Sequence, residues 1–94
     1  MTFRVELARS AARSFERAPR SERRRLERAI DSLSRKPRPA GKLVKAIQGT
    51  KDAFLRMRVG DCRIMYEVVD ADRVVLILGI IQRKDLEQWL RQHS

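Results

Sequence analysis

The chain holds 94 residues, room for one compact domain, and its 43% hydrophobic content allows a buried core, but no run nears the ~20 apolar residues of a membrane span. The 22 Lys+Arg against 12 Asp+Glu give a formal net charge of +10, and 17 of the basic residues are arginine. Such a field favours polyanions, whether RNA, DNA or an acidic protein. One cysteine, Cys62, excludes an internal disulfide and a multi-cysteine zinc site. No uninterrupted apolar segment opens the chain, so no secretory signal is expected and the cytoplasm is the expected compartment.

Residues 3–7 alternate apolar and polar side chains, as a half-buried strand does. Residues 8–17 switch to helical spacing, with Ala8, Ala11, Ala12 and Phe15 on one face, and Pro19 ends that helix. Ser21 suits the N-cap of a second helix over 22–35, whose buried stripe is Leu26, Ala29, Ile30 and Leu33. The other faces of this helix carry Arg23, Arg24, Arg25, Arg28 and Arg35. They are either a solvated face or a surface for an acidic partner, and residues 1–50 carry 14 basic and 5 acidic side chains.

Residues 40–53 read as a long connection containing Gly41 and Gly49, tacked to the core by Leu43, Val44 and Ile47. Two strands, 54–59 and 62–69, flank Gly60-Asp61, a Gly-first pair suited to a tight type II′ hairpin. Asp70-Ala71-Asp72 turns into an apolar, β-branched strand over 73–81, of the kind covered on both faces. Residues 84–92 are helical, with Leu86, Trp89 and Leu90 on one face. The order β-α-α-β-β-β-α, with consecutive hairpins and helices packed on them, is an α+β domain spanning residues 1–94.

The hairpin carries the sharpest functional inference. A two-residue loop puts Val59 opposite Cys62, Met57 opposite Ile64 and Leu55 opposite Tyr66, an apolar side facing the core. The other side then sets Arg58 against Arg63, with Arg56 against Met65. Opposed like charges destabilise a sheet. At ~5.5 Å and an effective dielectric near ~20 the repulsion is about 3 kcal/mol, and it falls below ~1 in full solvation. An anion between the guanidiniums removes that cost; so does splaying the two onto Glu67, Asp61 or another carboxylate. Arg83 and Lys84 open the last helix, and Arg83 joins Arg56, Arg58 and Arg63 if the last strand lies beside the hairpin.

His93, near the end of the chain, is not taken as catalytic. Tyr66 and Cys62 read as core residues, and Trp89 as core or as a platform for a base. No Gly-rich phosphate loop, metal-ligand spacing or Ser-His-Asp set is visible.

The stretch RMRVGDCRIMYEVVDADRVVLILGIIQRKD, residues 56–85, resembles the RelE/ParE toxin superfamily in its R-x-R-V-G-D-x-R-x-x-Y hairpin, its apolar strand and its closing basic pair. The segment KLVKAIQG before the hairpin is similar to that family's Lys-Leu-…-Gly segment, and the resemblance runs through the whole chain. It implies a RelE-like fold, akin to small microbial ribonucleases. For the RelE branch it implies a ribosome-dependent mRNA endonuclease that cuts by 2′-hydroxyl attack on the adjacent phosphate, without metal or cofactor. On that pattern Arg56, Arg63 and Arg83 take catalytic roles, and Arg58, Lys84 and Trp89 bind RNA or phosphate. Trp89 stands where the family has a tyrosine; indole takes no proton, so Glu67 becomes the first candidate base, ahead of Asp85 and Glu87. An acidic antitoxin is the implied partner, meeting Arg24, Arg25 and Arg28 on the second helix, and the pair together binds operator DNA. The departure at Trp89 leaves open a ParE-like inhibitor of DNA gyrase, or a non-catalytic relative that binds only antitoxin and DNA.

Overall fold

The computed structural model describes residues 2–38, 44–47 and 54–93. The elements are β1 (Arg4–Leu7), α1 (Arg9–Arg17), α2 (Arg20–Arg35), β2 (Val44–Ile47), β3 (Phe54–Val59), β4 (Cys62–Val69), β5 (Val74–Gln82), a 3-10 turn (Arg83–Asp85) and α3 (Leu86–His93). The strands form one sheet in the order β1-β5-β4-β3-β2. All pairings are antiparallel except β1 with β5, so the α+β class holds. The parallel pair needs a long crossover, which α1, α2 and the two hairpins supply.

β2 corrects the sequence reading, which placed 44–47 inside a connection. Its four residues pair with β3, Val44 against Met57 through to Ile47 against Phe54. Flanking glycines and a short run disguise it, because four residues hold barely two periods of alternation. The remainder of the expected connection, 40–43 and 48–53, lies outside the described residues apart from the strand itself.

A second correction concerns the start of α2. Pro19, with φ −56° and ψ 153°, takes the cap position and Ser21 makes no cap bond. The Pro19 carbonyl accepts the Arg23 N–H at 2.8 Å, which starts the helix at Arg20, ahead of where a Ser21 cap would. Proline's fixed φ brings the chain into the helix without a side-chain acceptor. Arg23 also closes the preceding helix: its guanidinium donates to the carbonyls of Ala18, the C-cap of α1, at 3.2 Å and of Glu16 at 3.4 Å.

α1 and α2 cover one face of the sheet. Ala11, Leu26 and Leu33 meet Met57, Cys62, Ile64, Tyr66, Val75 and Ile77 in the main core. These are the inward positions of β3, β4 and β5, as the hairpin register requires. The Tyr66 hydroxyl donates to the Pro37 carbonyl at 2.8 Å and so ties the end of α2 to the middle of the sheet. Burial pushes the Tyr66 phenol up to about 12.

Among the described residues, α3 covers the opposite face. Trp89 and Met65 form a small second core there, with Leu78, Ile81, Leu86 and Leu90 around them. Gly79 makes this approach possible: a Cβ on it would lie 2.7 Å from the Trp89 indole nitrogen. A bulge between Met65 and Tyr66 shifts the β4–β5 register at the same place.

Candidate phosphate-binding face

The hairpin forms with the expected register: Val59 with Cys62, Arg58 with Arg63, Met57 with Ile64, Arg56 with Met65 and Leu55 with Tyr66. Gly60 has φ 58°, and Asp61 stays out of the left-handed region, as a type II′ turn demands. The opposed Arg58 and Arg63 are therefore a feature of the backbone pairing.

The two arginines part company in their surroundings. Arg58 is exposed, whereas Arg63 is only 7% exposed and is the buried charged residue of the described chain. One nitrogen of its guanidinium donates to the Gly60 carbonyl at 2.9 Å and to the Cys62 carbonyl at 2.8 Å. Burial weakens the hold of Arg63 on its proton, and the charges of Arg58, Arg83 and Arg56 weaken it further; Asp61 opposes them. Arginine nonetheless keeps its charge at accessible pH, so the cluster holds a buried cation crowded by three others.

Arg83 reaches this place because β5 pairs with β4 and then turns. Cys62 is the register partner of Gln82, and the Arg83 backbone N–H donates to the Asp61 carbonyl at 2.8 Å. The structure thus brings Arg56, Arg58, Arg63 and Arg83 together around the hairpin. Lys84 lies with Asp61, Gln82 and Arg83 along an open groove beside it. Among the described residues no carboxylate forms a salt bridge with Arg56, Arg58, Arg63 or Arg83; the four ion pairs present lie at Arg4, Arg35, Arg38 and Arg91. Among the described residues, the repulsion is not met by splaying onto carboxylates.

Other expected site residues fall elsewhere. Trp89, expected to stack on a base, is 8% exposed and sits between α3 and Gly79. The indole is spent on docking the helix. Glu67 pairs with Leu76, four residues along β4 from Arg63, or roughly 13 Å at strand rise, with Met65 between. It is not among the charges acting on Arg63. Arg24, Arg25 and Arg28 are all exposed on α2, as a partner surface requires, and Arg25 also leans over the hairpin turn, its guanidinium 3.2 Å from where a Gly60 Cβ would stand. The backbone of His93 belongs to α3, but its side chain lies outside the described residues.

Sequence reasoning missed two neighbours of the cluster. Lys45 is the register partner of Arg56, a position visible only once 44–47 is known to be a strand. Glu22, in the first turn of α2, accepts a hydrogen bond from the Cys62 thiol at 2.5 Å. Nothing in the spacing of Glu22 and Cys62 announces that contact across 40 residues.

Comparison with known proteins gives the family. Residues 5–87 match the model of the ParE toxin of the type II toxin–antitoxin system parDE. The chain belongs to the RelE/ParE toxin family. A RelE/ParE toxin relative, the putative toxin RelE1 of Methanocaldococcus jannaschii, is 28% identical over 85 residues, 89% of this chain and 93% of its own length. The archaeal RelE–RelB complex of Pyrococcus horikoshii OT3 contains a chain that is 33% identical to this toxin, with a TM-score of 0.76. The match covers 88% of this chain and 97% of that one. The RelBE2 toxin–antitoxin complex of Mycobacterium tuberculosis shares the fold at a TM-score of 0.74 and 24% identity, over 88% of this chain and 100% of that one. The protein is thus a type II toxin of the RelE/ParE family, with the RelE-like α+β fold.

Proposed function

We propose that this toxin is a ribosome-dependent mRNA endonuclease, and that the face bearing Arg56, Arg58, Arg63 and Arg83 receives the scissile phosphate. The observation that carries the reading is the buried Arg63 cation, crowded by three guanidiniums and matched by no salt bridge among the described residues. Such an arrangement is stabilised when an anion enters it, and more so as negative charge builds on the phosphorus during 2′-hydroxyl attack. In this reading the exposed Arg58 and Arg83 touch phosphate oxygens, and Arg63, bonded to two carbonyls, supplies a fixed charge behind them. With Glu67 distant and Trp89 buried, the toxin supplies electrostatics, while the ribosome aligns the hydroxyl with the phosphate and provides the proton's route. Metal and cofactor take no part in this reading, and the site is cytoplasmic.

In this reading an acidic antitoxin neutralises the toxin through the exposed Arg24, Arg25 and Arg28 of α2, and the pair binds operator DNA. The P. horikoshii and M. tuberculosis relatives are complexes of toxin with antitoxin, which supports such a partner here.

A ParE-like action on DNA gyrase is the second reading. It is favoured by the family model that matches and by the buried indole where the RelE branch has a tyrosine. One experiment separates the two. Purified toxin added to a translating extract should produce mRNA ends carrying 2′,3′-cyclic phosphate, and should leave naked RNA largely intact. Continued translation with loss of gyrase supercoiling would instead establish the gyrase reading.

A further inference from the structure

The arginine cluster is held from behind by a polar contact that its chemistry does not use. Glu22 projects from the first turn of α2, on the helix-covered side of the sheet. Its Oε1 accepts from the Cys62 thiol at 2.5 Å and from the Gln82 amide at 3.4 Å, and the same amide stands 3.7 Å from the Cys62 sulfur. Cys62 and Gln82 are register partners on β4 and β5. Each is followed directly by an arginine of the cluster, Arg63 and Arg83.

We propose that Glu22 is a positioning residue: from the helix side it fixes the ends of β4 and β5, and so sets the spacing of Arg63 and Arg83 across the sheet. Three further observations agree. The Asp61 carbonyl accepts the Arg83 N–H at 2.8 Å, so the hairpin turn and the start of the 3-10 turn move as one. The Gly60 and Cys62 carbonyls hold the Arg63 guanidinium, so a shift of Cys62 is passed to that charge. Arg25, three residues from Glu22 on α2, bears on the same turn, making the helix a platform under the cluster. The Cys62 thiol, 2% exposed, remains a protonated donor to the carboxylate, with its pKa pushed up to about 12 first by burial and then by Glu22 itself.

The proposal rests on reading the four arginines as a phosphate site, and its test keeps the two claims apart. Glu22→Ala removes the acceptor and also removes a negative charge near a basic site. Simple electrostatics makes that variant bind RNA more tightly; a positioning role makes it bind more weakly. Glu22→Gln removes the charge and keeps an acceptor oxygen. Gln82→Ala alters an exposed, uncharged residue and so tests the clamp without threatening the core. Binding of a short fluorescein-labelled single-stranded RNA to the full chain is read by anisotropy. Side-chain N–H exchange of Arg63 is read by NMR, and thermal melting reports folding. Expected are about tenfold weaker binding for Glu22→Ala and about threefold for Gln82→Ala, with Glu22→Gln at or above the parent. Arg63 N–H exchange should speed about tenfold in Glu22→Ala and not in Glu22→Gln. Should Glu22→Ala not fold, Gln82→Ala decides on the same two readouts. Tighter or equal RNA binding in the alanine variants, with Arg63 exchange unchanged, overturns the clamp. If exchange speeds as expected but neither the parent nor Arg58→Ala differs from background in RNA binding, the clamp stands and the phosphate reading fails.

Discussion

The two faces of the sheet are built from alternate residues of the same strands, yet they obey opposite rules. On the helix side Cys62, Ile64, Tyr66, Val75 and Ile77 are buried against α1 and α2. On the other side the same strands place Arg56, Arg58 and Arg63, with α3 covering only the part next to Gly79. The first face lowers the free energy of the fold by removing apolar surface from water. The second concentrates like charge that a fold selected for stability alone would avoid. On the proposed reading, stability and function are carried by neighbouring residues only one position apart along β4.

The comparison breaks most visibly on the apolar side. Ile77→Ala should cost about 2–5 kcal/mol through lost transfer energy and a cavity. Its melting temperature should fall by roughly 4–8 °C per kcal/mol for a domain of this size. A smaller effect is expected where α3 meets the sheet. Gly79→Ala forces a Cβ to within 2.7 Å of the Trp89 ring and should cost about 1–3 kcal/mol. Trp89 is the chain's single tryptophan, so a red shift of its fluorescence reports the undocking directly, and an unshifted spectrum would argue against this packing. The smallest effect has the opposite sign. Arg58→Ala relieves the repulsion with Arg63 and should stabilise by less than ~1 kcal/mol in denaturant unfolding, while a loss of stability would mean that Arg58 packs rather than repels.

The strand alternation made the hairpin register, and with it the Arg58–Arg63 opposition, readable from Gly60-Asp61 alone, because a two-residue turn leaves one register. Arg83 was readable conditionally, once β5 was assumed to lie beside β4. What the sequence could not show was the unlike burial of the two opposed arginines. Spacing treats Arg58 and Arg63 as equals, and it makes Arg63→Ala look harmless to folding. With its guanidinium on the Gly60 and Cys62 carbonyls, Arg63→Ala instead leaves those acceptors short and should destabilise by about 1–3 kcal/mol. Arg58 is therefore the cleaner probe. Trp89 was ambiguous for a related reason: a helical stripe of Leu86, Trp89 and Leu90 shows that one face is apolar but not that a glycine waits beneath it. β2 was invisible because its four residues hold barely two periods of alternation, and the Glu22 contact because it joins α2 to β4 across 40 residues, a packing that no local pattern specifies.

The central claim is that the open face binds phosphate through guanidiniums that no salt bridge among the described residues neutralises. Its most direct test is the salt dependence of RNA binding. For a single strand, each neutralised phosphate contributes about 0.7 to the slope of log affinity against log salt. The account predicts that Arg58→Ala lowers that slope by about 0.7 relative to the parent toxin while the protein stays folded. A folded Arg58→Ala toxin with the parent's slope and affinity would contradict it.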